Sequence, residues 1–219
     1  MSKYNYLNRN GSHGIILEQI KPGSTVLELG CATGYMTKYM SEELGCVTDI
    51  VEIDADACKT ASQYARNAFC GDLVDNGWWA YYRQEKYDYI LFADVLEHLK
   101  DPYTALDLAV TLLKNDGRVI ISIPNVCHND IIIQMYYNHW KYSGLGLLDN
   151  THIRFWGKDE LEGMVYGRGL MVESWKSVTV QTQCTEQRFP MKVDDDLINM
   201  LRKREYGDVY QWIVICRKV

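Results

Sequence analysis

The chain has 219 residues, 47% hydrophobic and 24% charged, the composition of a soluble globular protein with a buried core of one-domain size. Lys plus Arg number 23 against 29 Asp plus Glu, a formal net charge of -6, so the overall field repels phosphate backbones and disfavours non-specific nucleic-acid binding. No apolar run approaches the roughly 18 residues of a membrane-spanning helix, and the polar start, Met1 to Gly23, lacks the apolar centre of a secretory signal, so a cytoplasmic protein without a membrane span is expected.

In chain order, Ser24 to Leu29 reads as a first strand, followed by a glycine-containing turn, Gly30 to Gly34, and a helix, Tyr35 to Leu44, stopped by Gly45. Val47 to Ile53 is predicted as a second strand and Ala55 to Asn67 as a second helix. Phe69 to Leu73 suits a short third strand, and the aromatic segment Trp78 to Tyr82 has no clear period. Tyr87 to Ala93 is a fourth strand; a helix from Pro102 to Leu113 ends in the turn signal Asn115-Asp116-Gly117; and Arg118 to Ile123 is a fifth strand stopped by Pro124. Residues 125–155 are too long for an ordinary connection and read as an inserted helix plus mobile loop, with Gly144 and Gly146 as flexible points. A helix over Lys158 to Arg168, a strand over Leu170 to Val180, a helix over Asp194 to Lys203 and a last strand over Gln211 to Arg217 complete the chain. Strands alternating with helices imply a doubly wound, Rossmann-like, mostly parallel α/β sheet, and the lack of a linker or repeat implies a single domain over 1–219.

Cys31, Cys46, Cys58, Cys70, Cys127, Cys184 and Cys216 form no C-x-x-C pair and no short Cys/His cluster, so reduced packing thiols are expected and no metal site. Asp194-Asp195-Asp196 suits a helix N-terminus better than a metal, since adjacent side chains diverge.

Val26 to Gly34 runs a strand straight into glycines and a helix start, the place where backbone approaches a nucleotide. The strand ends in Glu28, and Ala32 stands where a dinucleotide loop has its second glycine. A carboxylate suits a cation, so the loop Glu28, Gly30, Cys31, Ala32, Gly34 fits the ammonium and sulfonium of S-adenosylmethionine better than a pyrophosphate. Glu52, at the end of the second strand, is placed to accept both ribose hydroxyls; Asp54, on the same face, better suits the cap of the next helix. Asp72 is a candidate acceptor for the adenine amino group, with Ile53 and Leu73 sandwiching the ring.

The segments Glu28-Leu-Gly-Cys-Ala-Thr-Gly34, Val51-Glu-Ile-Asp54, Gly71-Asp-Leu73, Ala93-Asp-Val-Leu-Glu-His-Leu99 and Leu113-Lys-Asn-Asp-Gly-Arg-Val119 resemble the class I S-adenosylmethionine-dependent methyltransferases in order and spacing over roughly residues 10 to 125. Asp149-Asn-Thr-His-Ile-Arg-Phe155 is similar to a segment of bacterial methyltransferases that modify cell-surface sugars or other small molecules. The resemblance implies a seven-stranded sheet with an antiparallel last strand, a loop carrying Asp94 past the methionine portion of the cofactor, and His98 facing the acceptor. Many relatives have glycine where this chain has Ala32, a difference of one methyl group.

His152, just after the insertion, is a candidate base for an acceptor hydroxyl, as is His98; the competing role for each is structural hydrogen bonding. Glu97 begins or caps the next helix as readily as it serves the site. Arg154 suits an acidic acceptor or a surface ion pair, and Arg9 and His13 precede the first strand near the expected cofactor carboxylate. Tyr136, Tyr137, Trp140 and Tyr142 suit core packing, a lid, a dimer contact or stacking on an acceptor. The reading is O-methylation of a small molecule such as a saccharide or lipid-linked precursor, without a nucleic-acid partner and with a homodimer left open. A nicotinamide-dependent oxidoreductase, or a non-catalytic domain that keeps the cofactor pocket, are the alternatives.

Overall fold

A computed structural model of the chain describes residues 11–189 and 192–219. Seven strands form one sheet: β1 (Thr25–Leu29), β2 (Val47–Glu52), β3 (Asn67–Cys70), β4 (Tyr87–Ala93), β5 (Leu113–Pro124), β6 (Leu170–Thr179) and β7 (Val209–Lys218). Their order is β3-β2-β1-β4-β5-β7-β6, and β7 is antiparallel to both neighbours, as expected. The helices are α1 (Ser12–Leu17), α2 (Tyr35–Glu42), α3 (Ala55–Ala61), α4 (Gly77–Tyr82), α5 (Pro102–Leu112), α6 (Asn129–Tyr136), α7 (Lys158–Tyr166) and α8 (Asp195–Leu201).

The strands are apolar on both faces because both are covered. Val26, Leu91, Ile120 and Ile213 pack with Ile16 of α1 and Met36 and Met40 of α2. Their neighbours Leu27, Ile90, Val119 and Val214 pack on the other side with Trp78 and Tyr82 of α4, Leu106 of α5 and Leu161 of α7. The chain winds outward in opposite directions from β1 and β4, so the carboxyl ends of those two strands open into a crevice, the place where ligands bind in such sheets.

Several elements differ from expectation, each for a physical reason. The helix over residues 55–67 stops at Ala61, and β3 starts at Asn67, because the Asp49 carboxylate of β2 accepts from both the backbone and the side-chain nitrogens of Asn67. The aromatic segment 78–82 is helical: Trp78 and Tyr82, one turn apart, are both buried. Asn115-Asp116-Gly117 is not a free turn but part of β5, whose register against β4 shifts between Tyr87 and Tyr89. The expectation of seven reduced thiols is corrected as well: Cys58 and Cys70 are disulfide-bonded with Cα atoms 5.7 Å apart, tying α3 to β3 across a separation of 12 residues. Cys31, Cys46 and Cys216 are buried free thiols, and Cys127 and Cys184 are exposed.

Gly34 has φ +79, and a Cβ there would lie 2.7 Å from the Cα and Cβ of Ala61. Gly34→Ala therefore combines left-handed strain with a backbone overlap and is expected to cost about 2–3 kcal/mol. Urea unfolding of the two proteins checks it; an unchanged midpoint would contradict the packing described.

Candidate functional site

A cavity of about 1060 Å³ opens at the carboxyl ends of β1, β2 and β4. Gly30, Ala32, Glu52, Ile53, Asp72, Leu73, Asp94, His98 and His152 all line it, so most of the expected site residues are brought together. Glu28, Cys31 and Gly34 do not line it and instead shape the loop from behind. Glu28 is buried and its Oε2 accepts from Thr37 Oγ1 of α2 at 2.6 Å. Cys31 packs against Ile50 and Ala61, and Gly34 precedes α2. The carboxyl groups that line the cavity are those of Glu52, Asp54, Asp56, Asp72, Asp94 and Glu97 rather than that of Glu28.

Burial raises the Glu28 carboxyl to about 7, against the Thr37 hydrogen bond that lowers it, with a smaller upward push from Glu52. The folded chain thus holds a proton there that the unfolded chain, at about 4.5, releases. Stability from this group is full below the unfolded value and is lost as the pH rises through the folded one. Glu28→Gln is expected to remove that loss, making the variant more stable than the parent by a few kcal/mol at about pH 8 and near-equal at about pH 4. Urea midpoints across that range check the sign.

One half of the cavity is built by the ends of β1, β2 and β3. Ala32 takes φ +49, a conformation that costs a non-glycine residue about 1–2 kcal/mol, so the departure from glycine lies in the backbone more than in one methyl. It is held by Glu52, whose Oε2 accepts from Ala32 N at 2.7 Å while Oε1 accepts from Asp54 N at 3.0 Å. Each of these oxygens has a second lone pair. Asp54 caps α3 through Asp56 N and Ala57 N. Asp72 Oδ1 accepts from Val74 N at 2.9 Å. Leu73 is buried, whereas Ile53 is 66% exposed on the cavity wall, an apolar face of the kind a flat heterocycle covers.

Gly30 has φ +74, and a Cβ would meet Val95 Cγ2 at 2.5 Å, so backbone alone fills this approach. Asp94 sits at φ +57 beneath it, bonded to Ser122 Oγ at 3.0 Å and to Gln211 Nε2. Burial lifts its carboxyl to about 6 despite those two bonds. His13 lines the entrance with Tyr35, ring centroids 4.8 Å apart, and burial lowers its pKa. Arg9 lies outside the described residues. The loop, carboxylate and apolar wall match the hydroxyl-rich, cationic, phosphate-free groups of S-adenosylmethionine.

The far wall is assembled from two distant segments. Ile153 N and Arg154 N both donate to the Glu97 backbone carbonyl, at 2.9 and 3.1 Å, clamping 151–155 across the short helical turn Leu96–His98. This brings the His98 and His152 rings to 4.8 Å, edge to face. His98 Nδ1 lies 3.2 Å from the Thr151 carbonyl and His152 Nδ1 3.3 Å from the Leu147 carbonyl. A carbonyl only accepts, so each Nδ1 donates to it, and in the neutral ring the lone pair is left on Nε2. Glu97, read equally as a helix start or a site residue, lies inside the short helical turn and also lines the cavity.

Arg154 donates to the Lys100 carbonyl rather than facing the cavity. Asp194 caps α8, the helix-terminal role expected for its cluster. Trp140 meets Phe155 at 5.6 Å and Tyr142 at 6.3 Å, while Tyr136 is exposed. Phe155 in turn lies 6.4 Å from His152, so the aromatic group of the insertion abuts the histidine wall from outside the cavity lining. Gly146, expected as a flexible point, has φ +84 and packs on the Glu186 carboxylate, which also accepts from Leu147 N; a Cβ would lie 2.2 Å from it.

Residues 7–174 match the family model described as a methyltransferase domain. The chain is 30% identical over 114 residues to a ubiquinone biosynthesis O-methyltransferase of Glaesserella parasuis, covering 47% of this chain and 46% of that protein. It is 22% identical over 172 residues to the protein of the same name from Hydrogenovibrio crunogenus, covering 78% and 71%. The match thus spans about half the length of the first of these curated relatives. A solved S-adenosylmethionine-dependent methyltransferase from Archaeoglobus fulgidus superposes with TM-score 0.60 at 17% identity, covering 95% of this chain and 96% of that one, a likeness of fold.

Proposed function

Because this chain belongs to the class I S-adenosylmethionine-dependent methyltransferases, we propose that it transfers a methyl group to a hydroxyl oxygen of a small molecule bound between the cofactor and the His98–His152 wall. The observation that carries this is the pair of imidazoles, tautomers set by Thr151 and Leu147, converging at the cavity. The names of the curated relatives support oxygen as the methylated atom.

The cofactor, when bound, supplies an electrophilic methyl on a sulfonium. The chain's own residues orient it: Glu52 would accept the ribose hydroxyls, Asp72 the adenine amino group, and Ile53 and Leu73 would hold the ring, while the backbone at Gly30, Ala32 and Asp94 lets the methionine portion approach. Attack on the methyl group is in line, so alignment and exclusion of water are the protein's main tasks. The acceptor hydroxyl must lose its proton, and the Nε2 lone pair of His152, or of His98, takes it. Residues 125–155 would act as a lid over the acceptor within a single domain, the aromatic group around Trp140 and Phe155 forming its apolar side.

Incubation with methyl-labelled S-adenosylmethionine and a panel of polyphenols and saccharides tests the reading. Label on a hydroxyl oxygen, lost in His152→Asn, supports it; label found only on nitrogen or carbon acceptors, or full activity in His98→Asn and His152→Asn alike, would overturn it.

A further inference from the structure

Glu97, His98 and His152 are the one group of metal-ligating side chains brought within range of each other among the described residues, with donor atoms all within 4.8 Å. Glu97 is 1% exposed, and neither oxygen of its carboxylate has a hydrogen-bond partner among the described residues. Buried carboxylates are ordinarily paired, hydrogen-bonded or bound to a metal. Burial, and after it the neighbouring carboxylates of Asp94 and Asp149, disfavours a bare negative charge at Glu97. The two imidazoles carry the complementary feature. In each, Nδ1 is engaged with a backbone carbonyl, the second-sphere contact that fixes a metal-binding histidine in the tautomer with its Nε2 lone pair outward. The backbone clamp from Glu97 to Ile153 and Arg154 holds the two segments in register.

From this geometry we propose that Glu97, His98 and His152 bind a divalent ion of the zinc or manganese class on the cavity wall, leaving coordination positions open toward the acceptor. Two imidazoles and one carboxylate suit such ions, and a three-ligand set is the open arrangement of catalytic rather than structural sites. Bonds of about 2.0–2.2 Å require the donors to close by roughly 1 Å, within the reach of side-chain rotation. The ion's catalytic part rests on the hydroxyl-acceptor reading above and takes over the proton-removing role given there to a histidine. With the ion in place the histidine lone pairs are spent on it, and the acceptor hydroxyl coordinates and loses its proton to solvent at lower pH than in water. The O–CH3 bond then forms as the S–CH3 bond breaks, and the sulfur keeps the electron pair.

The test titrates chelator-stripped protein with manganese chloride and with zinc chloride by calorimetry, for the parent, Glu97→Gln and His152→Asn. Each preparation is titrated in parallel with S-adenosylhomocysteine. One ion per chain, an affinity at least about tenfold weaker in either variant, and retained nucleoside binding are the expected results. No binding by the parent, or equal binding by parent and variants that still hold the nucleoside, would overturn the site. Two variants guard against one misfolding. Methyl transfer lost on chelation and restored by manganese supports the catalytic role, and transfer indifferent to chelation overturns it. Ion binding is read without an acceptor, so a failure of the hydroxyl reading leaves the ion result standing.

Discussion

Glu52→Ala is expected to lower the affinity for S-adenosylhomocysteine by about 10²–10⁴-fold. Two hydrogen bonds from ribose hydroxyls to a carboxylate contribute roughly 1.5–3 kcal/mol each, and a factor of ten corresponds to about 1.4 kcal/mol. The same carboxylate accepts from Ala32 N and Asp54 N, so its loss also releases a loop held at φ +49 and adds an ordering cost to binding. Glu52→Gln keeps the reach and loses the charge, and should fall between. Calorimetry measures the affinities and a thermal melt confirms the fold; a Glu52→Ala protein that binds as the parent does would remove Glu52 from the ribose.

The second large effect is on stability. Asp49 is fully buried in β2 and accepts from Tyr87 Oη at 2.7 Å, from Asn67 N and Nδ2 at 3.1 Å, and from Arg66 Nε at 3.0 Å. Asp49→Ala leaves the Tyr87 hydroxyl and the Asn67 amide without their acceptor and opens a cavity between β2 and β3. Arg66, 39% exposed and also paired with Glu85, turns to water, so the loss comes mainly from the three orphaned donors of Tyr87 and Asn67. An effect of about 3–5 kcal/mol is expected, and Asp49→Asn, which keeps one acceptor, should cost less. Urea midpoints with an unchanged m-value measure it. Near-parental stability in Asp49→Ala would mean that Asp49 does not organise this edge of the sheet.

Local patterns carried the strands, the turn at Gly30–Gly34 and the cap at Asp54, because each depends on residues within a few positions. What local reading missed depends on partners far along the chain. The start of β3 is set by Asp49, 18 residues before Asn67. The disulfide joins Cys58 to Cys70, which carry no close-spaced motif. In the loop, Glu28 was expected at the ligand, yet alternation along β1 turns it toward Thr37 of α2, and the acids of the following strand ends take its place. The histidines were legible singly as candidates. Their meeting, and the burial of Glu97 between them and two other acids, follows from a clamp between segments 53 residues apart that no periodicity encodes.

A crystal structure with S-adenosylhomocysteine examines the account at its centre. The ribose is predicted on Glu52 and the sulfur directed across Asp94 toward Glu97, His98 and His152. A ligand seated elsewhere on the protein, or one whose sulfur points away from that wall, would contradict it.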